Sequence, residues 1–397
     1  MGVSPHQRTV HEPHYLDQPA ATAAFLSGIS ATPIVALDTE GASFHRFVDR
    51  IYLLQLSTRE KSAIIDPLAV SAGDLSGLGA LLENPAVEIV FHDADYDLRL
   101  LVQDYKWRVK NIFDTRVAAQ LLGIKAFGLG ALLEKYQGLK LEKKHQRADW
   151  SMRPLTQDML DYAAQDTMYL LQLRDQLKEE LEHKGRWSWA REEFGLLEGT
   201  QWEPDETGMG FLKMKGARDL NRRELAVLKE VSQWRDMVAG KMDKATFRVL
   251  GNEQLFAIAQ GQPASTDALG KIKGMPRGIL ENRGQELLDA VRRGLAVPEE
   301  QLPKFPRGLR WDRDPDFDAR TNALKTVRDE FAAKLDLDPG VLSSRDRMEA
   351  VARRNPASVA ELDEVKELRA WQREVLGAGF IKALAPHRKK DGSPYKE

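Results

Sequence analysis

The chain of 397 residues contains no cysteine. That excludes disulfides, thiolate-bound zinc and cysteine nucleophiles, and it is compatible with a reducing cytosol. No apolar run approaches the roughly 20 residues that cross a bilayer. Residues 1–24 lack the charged-then-apolar order of a secretory signal. A cytoplasmic protein is the expectation. A strong charge of one sign is missing too, since the formal net charge is −2. That balance hides an asymmetry. From Phe211 to Gly294 sixteen Lys and Arg stand against ten Asp and Glu, a local +6 that leaves −8 on the rest. A basic module beside an acidic one suits polyanion binding, and equally a solvated surface of mixed charge. The length suggests two or three domains, and 42% hydrophobic content is ample for their cores.

What is present is organised around Ile34-Val35-Ala36-Leu37-Asp38-Thr39-Glu40. Four apolar residues run into two carboxylates one residue apart, the pattern of a buried strand with a polar end. Side chains alternate along a strand, so Asp38 and Glu40 aim at one place. Ile51–Leu56 and Ala63–Ile65 read as further strands, and short connections make the three a β-meander. Val87–Phe91 reads as a fourth strand. Helices are expected over Ala20–Ser27, Leu75–Leu82, Ala94–Gln103, the stretch after Phe113 to Leu122, and Gly128–Tyr136. A long helix is expected from Thr156, its N-cap, to about Leu181. Strands followed by mixed strands and helices argue for a mixed α/β domain.

After a Gly-, Pro- and acid-containing stretch the pattern is helical and repeats itself. Trp234-Arg235-Asp236 matches Val327-Arg328-Asp329, Val249-Leu250 matches Val341-Leu342, and Pro263-Ala264-Ser265 matches Pro356-Ala357-Ser358. The offsets are 93, 92 and 93, which one deletion and one insertion reconcile. The expected organisation is a lead-in (1–30), an α/β domain (31–197), a linker (198–210), two helical domains (211–294 and 315–386) joined by a linker (295–314), and a polar tail (387–397).

Two more carboxylate clusters follow the first. His92-Asp93-Ala94-Asp95-Tyr96-Asp97 sits where the fourth strand meets a helix. Tyr162 and Asp166 are four apart in the long helix and share a face. Cleavage of a phosphodiester builds negative charge on oxygens that two divalent ions, about 3.5–4 Å apart, stabilise together. Asp38, Glu40, Asp97 and Asp166 supply the oxygen ligands that Mg²⁺ or Mn²⁺ prefers. The Tyr162 phenol would aim a water.

The order Asp38-x-Glu40, then Asp97 after His92, then Tyr162-x-x-x-Asp166 resembles the Tyr-containing branch of the DEDD exonuclease superfamily. Gln55-Leu56, Phe113-Asp114-Thr115, Asp149-Trp150-Ser151, Arg153-Pro154-Leu155 and Tyr162-Ala163-Ala164 look like ribonuclease D. The helical repeats are similar to the helicase-and-ribonuclease-D C-terminal (HRDC) domain, with Leu228, Trp234-Arg235, Leu255 and Ile258-Ala259 in order. The resemblance implies an RNase H-like α/β nuclease domain, a mixed sheet flanked by helices, followed by two all-α domains. It implies 3′→5′ hydrolysis of RNA to nucleoside 5′-monophosphates, dependent on two divalent metal ions, with structured RNAs such as tRNA precursors as substrates. A monomer is a separate expectation. Asp38, Glu40, Asp97 and Asp166 would be ligands, and Tyr162 would position the attacking water. Two departures stand out: Asp93 adds a carboxylate where relatives often have a small or amide residue, and Val327 replaces the Trp of the first repeat.

Plainer readings compete with the remaining candidates. His92 is a candidate contact to the substrate's end or a hydrogen-bonded structural histidine. Trp150 and Arg153 would grip a nucleotide or pack the next helix. Trp234 reads as core. Arg222, Arg223, Lys241, Lys244, Arg248, Lys271, Lys273 and Arg277 are candidate phosphate contacts, provided they share a face. Two other functions fit the same residues: a DNA-directed 3′→5′ exonuclease, whose chemistry need not read the 2′-OH, and a nucleic-acid-binding protein without catalysis, against which the intact carboxylate set argues.

Overall fold

Strand β1 (His14–Leu16) and helix α1 (Pro19–Ile29) lie within the stretch that reads in the sequence as a polar lead-in. The structure is a computed structural model that describes residues 13–141, 144–203, 208–306, 314 and 316–388. The expected lead-in, both linkers and the tail therefore fall partly outside the described residues. β1 has only three residues, too few to carry a periodicity. It pairs parallel with β4, and Leu16 is buried.

The central strand is β2 (Ile34–Glu40), followed by β3 (Leu53–Ser57) and β4 (Ser62–Ile65). These three pair antiparallel in sequence order, the meander that short connections require. Then come α2 (Ser76–Leu82), β5 (Glu88–Phe91), α3 (Asp95–Tyr105), β6 (Ile112–Asp114), α4 (Thr115–Leu121) and α5 (Leu129–Gln137). β5 and β6 add in parallel on the far side of β2, giving the order β1-β4-β3-β2-β5-β6. One face of the sheet, with Val35, Leu37, Leu54 and Leu56, buries itself under α1–α3.

The long helix expected from Thr156 is two helices, α6 (Gln157–Met168) and α7 (Leu170–His183). Thr156 caps the first through the Met159 N–H, as the sequence suggests. The break lies at Tyr169 because the two halves serve different partners. α6 packs on β2, β3 and β4, where Thr167 Oγ1 meets Ser57 Oγ at 2.8 Å. α7 turns away to lay Leu170, Leu173, Leu177 and Leu181 against α4 and α8 (Trp187–Leu197).

The first helical repeat comprises α9 (Gly210–Lys213), α10 (Arg222–Met242), α11 (Thr246–Val249), α12 (Asn252–Gly261), α13 (Thr266–Gly270) and α14 (Arg277–Ala296). The second comprises α15 (Phe317–Leu335), α16 (Pro339–Leu342), α17 (Arg345–Arg354) and α18 (Ala370–Leu384). Both place a left-handed residue after the same helices, at Asp243 and Asp336 and at Gln262 and Asn355. Both use an arginine as a clasp: Arg235 donates to the Leu250 carbonyl, Arg328 to that of Ser343. These pairs keep an offset of 93 throughout. The equivalent of Val249, the last residue of α11, is thus Leu342, the last of α16. The match of Val249 to Val341, and with it the deletion and insertion, is corrected. Burial decides it: Val249 and Leu342 are both enclosed, whereas Val341 is half-buried.

The repeats dock on the α/β unit differently. The second shares a continuous core with it, where Trp189 stacks on Trp371 at 4.8 Å and Glu192 accepts the Ala370 and Trp371 N–H groups. The first keeps its own core, Trp234 included, and touches the α/β unit through the loop after β2.

Candidate active site

Asp38 and Glu40 leave the end of β2 on one face, and α6 crosses that face carrying Tyr162 and Asp166. Carboxylate oxygens of Asp38, Glu40 and Asp166 all lie within 4.8 Å of one another. The next residue is Gly41 for a steric reason. A Cβ there would sit 2.1 Å from Tyr96 Oη, which donates to Asp49 at 2.7 Å. The three carboxylates, Tyr162, His92 and Trp150 line a cleft of about 920 Å³.

Asp97, in the first turn of α3, comes to the same strand end from the other side. Its Oδ1 accepts from Thr39 Oγ1 at 2.5 Å and from the Thr39 N–H at 3.1 Å. It is buried and stands beside the three converging groups rather than among them. Its two carboxylate neighbours in sequence are accounted for elsewhere: Asp93 pairs with Arg116, and Asp95 with Arg99 at 2.6 Å.

Four carboxylates this close cannot all ionise cheaply. Burial, then the charge of Asp166, pushes Asp38 well above the usual carboxylate range. Burial and the Asp38, Asp166 and Asp97 charges do the same to Glu40, and burial with Asp38 to Asp97. Asp166 is pushed up to about 7 by burial and by Asp97. Gln55, directly opposite Asp38 on β3, is fully buried, and neither amide atom has a partner among the described residues. Hard oxygen donors that repel one another, beside an orphaned buried amide, fit a divalent cation. Tyr162 keeps its proton, because burial and the charges of Asp166, Glu40 and Asp38 all raise its pKa.

His92 lies in the cleft with a defined tautomer. Thr115 donates its hydroxyl to the Phe91 carbonyl at 3.0 Å, so the 2.9 Å contact to His92 is Nδ1–H donating to Thr115. Nε2 is left as an acceptor. Burial lowers the His92 pKa to about 4, so the ring is neutral at physiological pH. Asp114 explains the Phe113-Asp114-Thr115 phrase: it caps α4 through the Arg116 and Val117 N–H groups and accepts those of Asp93 and Ala94.

Several sequence-predicted contacts are structural instead. Trp150 is 1% exposed in a core with Tyr52, Leu53 and Ala163, so it borders the cleft without a free face for a base. The Arg153 guanidinium is taken by Asp66, at 2.6 and 2.7 Å, and by the carbonyls of Trp150, Met152 and Tyr52. Arg222 and Arg223 clasp the chain after α14, through the carbonyls of Leu302 and Val297 among others. They also lie at the far end of α10 from Lys241, about 30 Å away along a 21-residue helix. α14 runs antiparallel to α10, with Arg293 paired to Glu230 and Gly294 packed on Val227. Lys271, Lys273 and Arg277 are thereby brought toward the end of Lys241, Lys244 and Arg248. The basic residues form two groups, not one face.

Other residues at the site have weak sequence signals. Thr39 is an ordinary strand residue until Asp97 reaches it. Phe44, His45 and Arg147, from the loops after β2 and before α6, complete the cleft. Nothing in their spacing joins them, since they meet only across more than 100 residues of chain.

A family described as a 3′-5′ exonuclease matches residues 13–182, and the HRDC domain family matches residues 224–291 and 317–384. Ribonuclease D of Gluconacetobacter diazotrophicus is 31% identical over 348 residues, 87% of this chain and 86% of that one. Ribonuclease D of Escherichia coli is 30% identical over 72% of this chain and 75% of its own. The solved structure of Escherichia coli RNase D, described as an exoribonuclease involved in structured RNA processing, superposes with a TM-score of 0.73 at 25% identity. It covers 95% of this chain and 100% of that one.

Proposed function

Because the chain belongs to the ribonuclease D family and is a 3′→5′ exoribonuclease, we propose that the Asp38–Glu40–Asp166 cluster, with Asp97 beside it, is its catalytic metal centre. The observation that carries this reading is the convergence of three carboxylates within 4.8 Å in a cleft open to substrate. Asp38, Glu40, Asp97 and Asp166 would hold two divalent ions, Mg²⁺ or Mn²⁺. Such ions would offset the charge that builds on the phosphoryl and leaving oxygens and acidify an attacking water.

The chain's own groups do the rest. Thr39 pins Asp97, so the strand end and α3 hold their carboxylates in fixed relation. Tyr162, protonated at its Oη, orients the water by a hydrogen bond. His92 Nε2 accepts from a hydroxyl of the terminal nucleotide. Single-stranded 3′ ends enter the cleft, and structured RNAs such as tRNA precursors are the proposed substrates. A single chain in the cytoplasm is the proposed working unit. No helix among the described residues is long and apolar enough to cross a membrane.

The test is a degradation ladder on 5′-labelled single-stranded RNA and the matching DNA, with Mg²⁺ or Mn²⁺. The wild type should shorten RNA stepwise from the 3′ end. Asp38→Asn should abolish the ladder and Tyr162→Phe weaken it. Faster shortening of DNA would reverse the substrate assignment, and an undiminished Asp38→Asn ladder would remove the metal centre from this place.

A further inference from the structure

Two aromatic rings stand in the open beside the cleft. Phe44 is 47% exposed and Phe247 is 52% exposed, unusual for residues that normally bury. They come from different parts of the fold, the loop after β2 and helix α11. Their centroids lie 6.0 Å apart with the rings edge to face at 77°. The Arg147 guanidinium lies 5.5 Å from the Phe44 centroid. Phe44 and Arg147 line the cleft mouth, so the aromatic surface continues the cleft outward onto the first helical repeat.

The backbone beneath these rings is clamped. Arg248 Nε donates to the Phe44 carbonyl at 2.5 Å, and the Ala245 N–H donates to the His45 carbonyl at 3.2 Å. Arg46 bonds Asp243 at 3.1 Å, and the Phe47 N–H reaches the same carboxylate at 3.4 Å. The rings are therefore held in place and left bare, an arrangement that packing alone does not need. The charge around them suits a polyanion. Arg147, Lys241 and Lys244 are exposed and form no ion pair with the described residues. The nearby acids, Asp149 and Asp243, both face Arg46.

We propose that Phe44 and Phe247 form a stacking ledge for the bases of single-stranded RNA just upstream of the 3′ end. The proposal rests on the exonuclease reading above. Every base has a π-face, so such a ledge holds strands of any sequence, while Arg147 and the lysines meet the backbone. The first helical repeat thus joins the substrate path through one aromatic side chain, and the enzyme favours 3′ tails long enough to reach it.

The experiment uses the full chain with Mn²⁺ and three substrates. They are the p-nitrophenyl ester of thymidine 5′-phosphate, a 10-nucleotide RNA, and the same RNA with one abasic nucleotide moved through the second to fourth positions from the 3′ end. Phe247→Ala should shift the ratio of kcat/KM for ester over RNA about tenfold toward the ester, the loss of one stacked base. Phe247→Trp should restore the wild-type ratio. An abasic nucleotide at one position should cost the wild type a similar factor and cost Phe247→Ala nothing further. A full abasic penalty remaining in Phe247→Ala, or an unshifted ratio, overturns the ledge. If the alanine variant fails to fold, the wild-type scan still decides, since a flat scan overturns the proposal. A wild type that cleaves neither ester nor RNA overturns the exonuclease reading, and the ledge with it.

Discussion

At the residue scale the central fact is a set of carboxylates that oppose one another. Asp38→Asn removes one charge from that set, so it should raise the Tm of the metal-free protein while abolishing RNA cleavage; activity and stability conflict here. Mg²⁺ or Mn²⁺ should raise the wild-type Tm, EDTA should reverse this, and Asp38→Asn should blunt it. Thermal melts of both proteins with and without metal check all three. Tyr162→Phe should lower kcat by about 10²-fold, the usual scale for a positioned proton donor, with little change in Tm. His92 sets a pH dependence of its own. Its pKa of about 4 when folded lies below the unfolded value of about 6.5. The unfolded chain takes up this proton first, so the contribution is complete above the unfolded pKa and lost as pH falls through the folded one. Protonation of the raised carboxylates works the other way over this range, so the readout is a difference: from pH 7 toward pH 4 the wild-type Tm should fall relative to that of His92→Gln.

At the scale of elements, the Asp66–Arg153 pair ties the loop before α6 to the end of β4. Asp66 is buried, which works to raise its pKa, but hydrogen bonds from Arg153 and Tyr15 outweigh this and hold it below the ordinary value. Arg153→Met leaves that buried carboxylate without its cation, held only by the Tyr15 hydroxyl and the Leu68 N–H, and should cost about 3 kcal/mol in denaturant unfolding, while the folded fraction still cleaves RNA. A direct phosphate contact by Arg153 would instead appear as a raised KM without lost stability. Helix α10 and helix α14 approach closely at Gly294, where a Cβ would lie 2.5 Å from Val227 Cα. Backbone cannot move aside as a flexible side chain does, so Gly294→Ala should destabilise the first repeat by about 1–3 kcal/mol.

At the scale of the whole molecule, the two repeats share a fold but pack differently on the α/β unit. The first faces the cleft mouth and keeps its own core. The second is built into the α/β unit: Arg186 links the Leu121 and Leu335 carbonyls, and Trp189 and Trp371 stack between α8 and α18. Trp371→Ala should therefore behave as a core truncation, costing about 3–5 kcal/mol and weakening the nuclease domain as well as the repeat. Val327, which stands where the first repeat has Trp234, only borders that core.

Local patterns carried much of this protein. The strand and its two carboxylates, the Tyr162–Asp166 spacing and the repeat of 93 residues are short-range or periodic, and such signals survive in one dimension. So does the family resemblance, which rests on those same residues. Tertiary structure decided what depends on partners distant in sequence. It broke the long helix at Tyr169, because α6 and α7 answer to different layers. It assigned Trp150, Arg153, Arg222 and Arg223 to packing and clasps, because their partners lie up to about 100 residues away. It brought Phe44 to Phe247 across 203 residues. Spacing reports which side chains share an element's face; only the packed chain says which elements meet there.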